Sequence, residues 1–137
     1  MGIRSRTSRF AHILERVGLA MAGASCGLFV AAHLGRTGIE ILTSLAAIFA
    51  MTVYGAVGFY LGIDIPPHAA LAGKTDPAEI LSAIGTFLAT IAAFISVFII
   101  VADSDPHVAG TMVIGALWLL GVTLQIIAGA IARTRAV

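Results

Sequence analysis

The chain has 137 residues, 59% of them apolar and 11% charged, with a mean hydropathy of +1.03. A soluble domain carries about 25% charged residues, so most faces of this chain must meet lipid or other apolar helices rather than water. A net charge of +1, with the basic residues gathered at the ends, excludes a general polyanion binder, nucleic acid included, and the lone Cys26 excludes an internal disulfide or a cysteine-rich zinc framework.

A polar leader comes first, with Arg4, Arg6, Arg9, Glu15 and Arg16. Its spacing allows a basic amphipathic helix on anionic lipid, although setting topology is the ordinary role of such a leader. Hydrocarbon about 30 Å thick needs about 20 helical residues. Four uncharged apolar runs meet that length: residues 17–35, 41–63, 80–102 and 108–132. They are continuous rather than alternating, and only a helix satisfies every backbone group within one segment. The expected fold is an all-α integral membrane protein, a single domain built as a four-transmembrane-helix antiparallel bundle. A competing reading takes the Arg-rich start and the run through Ala20-Met21-Ala22 and Ala22-Gly23-Ala24 as a secretory signal. The apolar run continues well past both sites, which disfavours it.

Four spans place both termini on one side. That side, with the central loop 64–79, holds Arg4, Arg6, Arg9, Arg16, Lys74, Arg133 and Arg135, whereas the other holds Arg36 alone. The bias predicts cytoplasmic termini in a bacterial-type inner membrane. Residues 34–40 and 103–107 read as tight hairpins, and Pro66, Pro67, Gly73 and Pro77 predict a non-helical cytoplasmic loop that could dock a partner.

Small residues at fourfold spacing mark the helix-packing seams: Gly23 and Gly27, Gly58 and Gly62, then Gly121 and Gly129 around Gln125. These seams serve packing within the chain or contact with a second subunit. A register of 39 residues also aligns Glu40-Ile41-Leu42-Thr43 with Glu79-Ile80-Leu81-Ser82, and Asp64, Pro67 and His68 with Asp103, Pro106 and His107. It suggests an inverted repeat, but apolar composition and ordinary helix-end preferences produce similar matches.

Polar residues inside the membrane are functional candidates by default. Those nearest the middle of the spans are Thr52, Tyr54, Thr90, Ser96 and Gln125, all able to bond to backbone carbonyls, and of these Thr52, Tyr54, Ser96 and Gln125 are suited to interhelical hydrogen bonds or to lining a pathway. Trp118 sits mid-span, away from the interfacial belt, and so predicts a packing role, whereas Tyr60 suits the belt. His33, Glu40, Asp103 and His107 gather on the far side with Asp105 beside them, where imidazoles and carboxylates could hold a zinc-like ion, or simply cap helix ends. Haem fits less well, because His12 and His68 lie on the opposite face. Thr52-Val53-Tyr54-Gly55 sits inside a full-length span, unlike a potassium filter. No phosphate-binding loop, HExxH pair or nucleophile elbow occurs, so no catalytic residue is assigned and an enzyme is not expected.

With no carboxylate at depth, the expected function is that of a small multi-pass accessory or assembly subunit of a membrane complex. Its partners would be the lipid bilayer and a membrane protein or further copies of itself. The alternatives are a small oligomeric transporter or channel, and a metal-binding or haem-binding subunit; composition does not identify a cofactor.

Overall fold

The computed structural model describes residues 2–63 and 76–135, with side chains from Arg6 onward. Among the described residues all regular structure is helical: α1 (Gly2–Gly35), α2 (Glu40–Thr43), α3 (Leu45–Gly62), α4 (Pro77–Val101) and α5 (Val108–Thr134). Four of these, α1, α3, α4 and α5, are long and apolar enough to cross a membrane. Lys74 and most of the central loop, with the repeat positions Asp64, Pro67 and His68, lie outside the described residues.

The helix boundaries differ from the apolar runs in three places. The polar leader is not separate from the first span, because no proline or glycine interrupts residues 3–17 and α1 runs unbroken for 34 residues, about 51 Å at 1.5 Å per residue. The second run is divided. Ser44 adopts extended backbone (ψ 144°), its hydroxyl accepts from the Ala47 N–H at 3.2 Å and donates to the Ile41 carbonyl at 2.8 Å, and the helix restarts behind it. Such local bonding is the usual way serine competes with a continuing helix. The third helix starts at Pro77, three residues earlier than expected: Asp76 caps it, accepting from the Ala78 N–H at 2.9 Å, and Pro77 occupies the first turn, where its missing N–H costs nothing. Proline here begins a helix rather than forbidding one.

The Ser44 break also separates the two copies of the 39-residue register. Glu40 opens a four-residue helix, whereas Glu79 stands inside an unbroken one.

The far-side connections are tight, as their lengths require. Gly38 takes a positive φ of 75° in the first. In the second, Asp103 takes φ 51°, its N–H bonds to the Ile100 carbonyl and the Ser104 N–H to the Ile99 carbonyl. That pair of bonds is a Schellman ending, in which aspartate fills the left-handed position usually given to glycine.

The long helices pack as two hairpins set side by side. Gly23 and Gly27 of α1 meet Gly55 and Met51 of α3, and Gly85 and Ala89 of α4 meet Gly121 of α5, so each pair runs antiparallel. Gly55, Gly58 and Gly62 of α3 meet Trp118, Val122 and Gln125 of α5, which makes α3 and α5 parallel neighbours. Val30, Leu34, Phe59, Ala89, Ala92, Ala93, Trp118 and Val122 form the core. Phe49, Phe87, Phe94 and Phe98 point outward. Lipid tails are as apolar as leucine, so close backbone packing, not apolar burial, holds such helices together. Most phenylalanines outside and many alanines and glycines inside is the distribution that follows, with Trp118 and Phe59 as large buried residues.

Candidate functional site

The glycines named from spacing all lie in contacts between helices of one chain. A methyl group on Gly23 would strike the Gly55 carbonyl, and one on Gly27 the Met51 carbonyl. One on Gly58 would meet the Val122 side chain, one on Gly62 would lie 2.5 Å from Gln125 Cβ, and one on Gly129 would strike the Leu61 carbonyl. Gly121 and Gly85 close the remaining seam, with an added methyl 2.6 Å from the Ala89 nitrogen or the Gly121 oxygen respectively. Real Cβ atoms essentially never show contacts that short, so wherever the opposing atom is backbone, at all of these positions but Gly58, the helices need glycine to approach as they do.

The four polar residues named as pathway or interhelical candidates divide into two kinds. Thr52 and Ser96 donate to carbonyls of their own helix, those of Ile48 and Ala92, each at 2.8 Å. Tyr54 and Gln125 reach across. The Tyr54 hydroxyl shares a 2.6 Å bond with Thr123 on α5, and Gln125 Nε2 donates to Thr86 Oγ1 on α4 at 3.0 Å. Ser82 adds a bond from α4 to the Gly62 carbonyl, and Arg133 donates to the Leu61 carbonyl at 2.9 Å. Trp118 is fully buried and stands edge-on to Tyr54, ring centres 5.9 Å apart. It fills the centre of the fold. Thr86, Thr123 and Ser82 escaped the sequence reading because a threonine or serine in an apolar helix bonds its own backbone equally well; only the rotation of each helix reveals which ones face a neighbour.

The far-side quartet is not assembled. Glu40 is exposed at the start of α2, and Asp103, 98% exposed, faces Arg36 at 3.6 Å while its backbone ends α4. Among the described residues no three His, Cys, Asp or Glu side chains come together as a metal would require. Glu40 lies exposed in the first turn of α2, and the Schellman turn leaves the Asp103 side chain outward. His33 and His107 do share a cavity of about 190 Å³, with Ser104, Asp105 and Thr111 among its other lining residues. His33, 1% exposed, shares a 3.2 Å hydrogen bond between its Nε2 and Thr111 Oγ1. Thr111 was not singled out from the sequence.

On the opposite side of the α1–α5 contact lies a larger apolar groove of about 470 Å³. Leu34, Leu42, Met51, Met112, Gly115 and Leu119 are among its lining residues. The Ser44 break shapes it by turning α2 out of line with α3. Comparison with known protein families, with curated proteins and with solved structures finds no match to this chain.

Proposed function

We propose that this chain is a four-span antiparallel bundle of a bacterial-type inner membrane, with both termini cytoplasmic, acting as an accessory or assembly subunit of a larger membrane complex. The observation that carries this reading is where the interaction-capable groups point. The small-residue seams are closed by contacts inside the chain, and the two spanning polar groups that reach out, Tyr54 and Gln125, bond to Thr123 and Thr86 of the same chain. What is left for recognition is the outer surface: broad phenylalanine-rich faces and the apolar groove beside α2. A surface of that kind packs against another membrane protein by van der Waals contact.

The orientation rests on seven of the eight Lys and Arg residues falling on the side of the termini and the central loop. A tagged chain purified in a gentle detergent should carry a stoichiometric larger membrane protein, and replacing the groove residues Met112 and Ala116 with phenylalanine should release it while the chain stays folded. A homogeneous assembly of this chain alone, passing solute in liposomes, would replace the proposal with the transporter reading.

A further inference from the structure

We infer that the cytoplasmic end of α1, residues 6–16, stands in the headgroup layer of the membrane and binds anionic lipid, with Phe10, Ile13, Leu14 and Val17 turned toward the acyl chains. Residue spacing leaves open how a leader is rotated relative to the span that follows it. Here α1 runs unbroken from Gly2 to Gly35, so the rotation of one fixes that of the other. Phe10, Leu14, Val17, Met21 and Leu28 follow at intervals of four, three, four and seven residues, and all five are exposed. Such intervals keep to one helix face. The face that meets lipid within the membrane at Met21 and Leu28 therefore continues past Arg16 to Leu14, Ile13 and Phe10.

Arg16 marks where the span ends. Its guanidinium donates to the Tyr60 hydroxyl at 3.2 Å and lies 5.6 Å from the centre of that ring, and Arg133 of α5 donates to the neighbouring Leu61 carbonyl at 2.9 Å. Two arginines and a tyrosine at one level are what a membrane boundary collects. Phe10 lies six residues farther out, about 9 Å along the helix axis, and the headgroup layer is about 5–8 Å deep on each side. The stripe looks away from α3, which Gly23 and Gly27 face. A tilt toward the stripe of up to about 40°, as spanning helices adopt, keeps Phe10, Ile13 and Leu14 inside that layer.

Charge selects the occupant. Arg4, Arg6, Arg9 and Arg16 stand in this leader, with Glu15 as its only carboxylate. A second copy in the same orientation would set these arginines against its own, whereas an anionic leaflet attracts each of them. Arg9 precedes Arg16 by seven residues and so shares its face, and His12 between them accepts from Arg16 Nε at 3.0 Å. The basic face is thus turned to headgroups while the apolar face enters the acyl boundary, the arrangement of interfacial helices. The inference rests on the four-span reading proposed above.

The test uses the full chain, on a Cys26→Ala background, in phosphatidylcholine vesicles with and without phosphatidylglycerol. Single spin labels at Ser8→Cys, Phe10→Cys, Leu14→Cys and Leu28→Cys are read by collision with oxygen and with a water-soluble nickel chelate. With phosphatidylglycerol present, labels at positions 10 and 14 should meet oxygen and be shielded from nickel, and the label at position 8 should do the reverse. Arg9→Gln should lower the ratio of lipid-contacting to water-exposed label at position 10 about fivefold, the effect of one basic residue near an anionic surface, and Arg9→Lys should leave it unchanged. Nickel reaching positions 10 and 14 while position 28 stays in lipid overturns the inference and leaves the four-span reading standing; nickel reaching position 28 removes the span and the inference with it. Spin–spin broadening at position 10 would assign the stripe to a second copy and overturn the inference as well. Equal shielding of positions 10 and 14 without phosphatidylglycerol, or an Arg9→Gln ratio equal to the parent's, does the same.

Discussion

Gly23 of α1 and Gly55 of α3 stand backbone against backbone, so that a methyl group on either would fall on the carbonyl oxygen of the other. This reciprocal contact sets the distance between the first two spanning helices. The seam continues one turn on at Gly27 and Met51, and Gly85 with Gly121 repeats the device between the last two.

Enlarging either residue of the first pair must push the helices apart. Gly23→Val and Gly55→Val are each expected to lower stability by about 1–3 kcal/mol, the range for overpacking a filled core. Gly18→Ala lies in the same helix with no atom within 4 Å of the added methyl, and should leave stability unchanged or slightly raised. Unfolding in a graded detergent series reads all three. Equal losses at Gly18 and Gly23 would mean that the close contact with Gly55 does not govern the seam.

Gln125 and Thr86 should be coupled. Removing each in turn and then both, as Gln125→Leu and Thr86→Val, is expected to give an interaction energy of about 0.6 kcal/mol, and no more than about 1.7 kcal/mol, as for other intramembrane hydrogen bonds. A double-mutant cycle in the same unfolding assay measures it. Zero coupling would assign Gln125 a partner other than Thr86.

How much of this was open to inspection in the sequence depends on the kind of signal. The spanning runs were legible because their length and lack of charge follow from bilayer thickness. So were the glycine seams, since small residues at fourfold spacing fall on one helix face. The interruption at Ser44 was not, because Thr43-Ser44 is tolerated inside an apolar helix and only the local capping bonds reveal a restart. Cross-helix partners such as Thr86 and Thr111 were also hidden, because they depend on how each helix is rotated about its axis. The far-side quartet shows the same gap: His33 and His107 do share a cavity, but Glu40 and Asp103 are carried off by turn geometry invisible in residue spacing.

Trp118 acts by volume. Its indole nitrogen makes no hydrogen bond, while its ring occupies the space between Gly27, Gly55 and Tyr54. Trp118→Ala should cost about 3–5 kcal/mol, the range for emptying an aromatic site in a core, and Trp118→Phe distinctly less. Detergent unfolding of the two variants decides this; equal losses would indicate that the nitrogen, not the ring, matters.

Asp103 ends α4 in a left-handed conformation, φ 51°, that glycine adopts without strain. Asp103→Gly is therefore expected to raise stability by a few tenths of a kcal/mol up to about 1 kcal/mol. Its pairing with Arg36 does not reverse that sign, because the aspartate is 98% exposed and such pairs contribute little. A fall in stability would show that the ion pair, rather than the turn, fixes the 103–107 connection.

The threading of the chain through the bilayer can be read directly by labelling single cysteines with a membrane-impermeant maleimide in intact cells, on a Cys26→Ala background. Ser8→Cys and Thr134→Cys are expected to react only after the membrane is opened, whereas Glu40→Cys and Ser104→Cys react from outside in intact cells. Opposite accessibility of positions 8 and 134, or of positions 40 and 104, would contradict a chain that crosses four times and returns both ends to the cytoplasm.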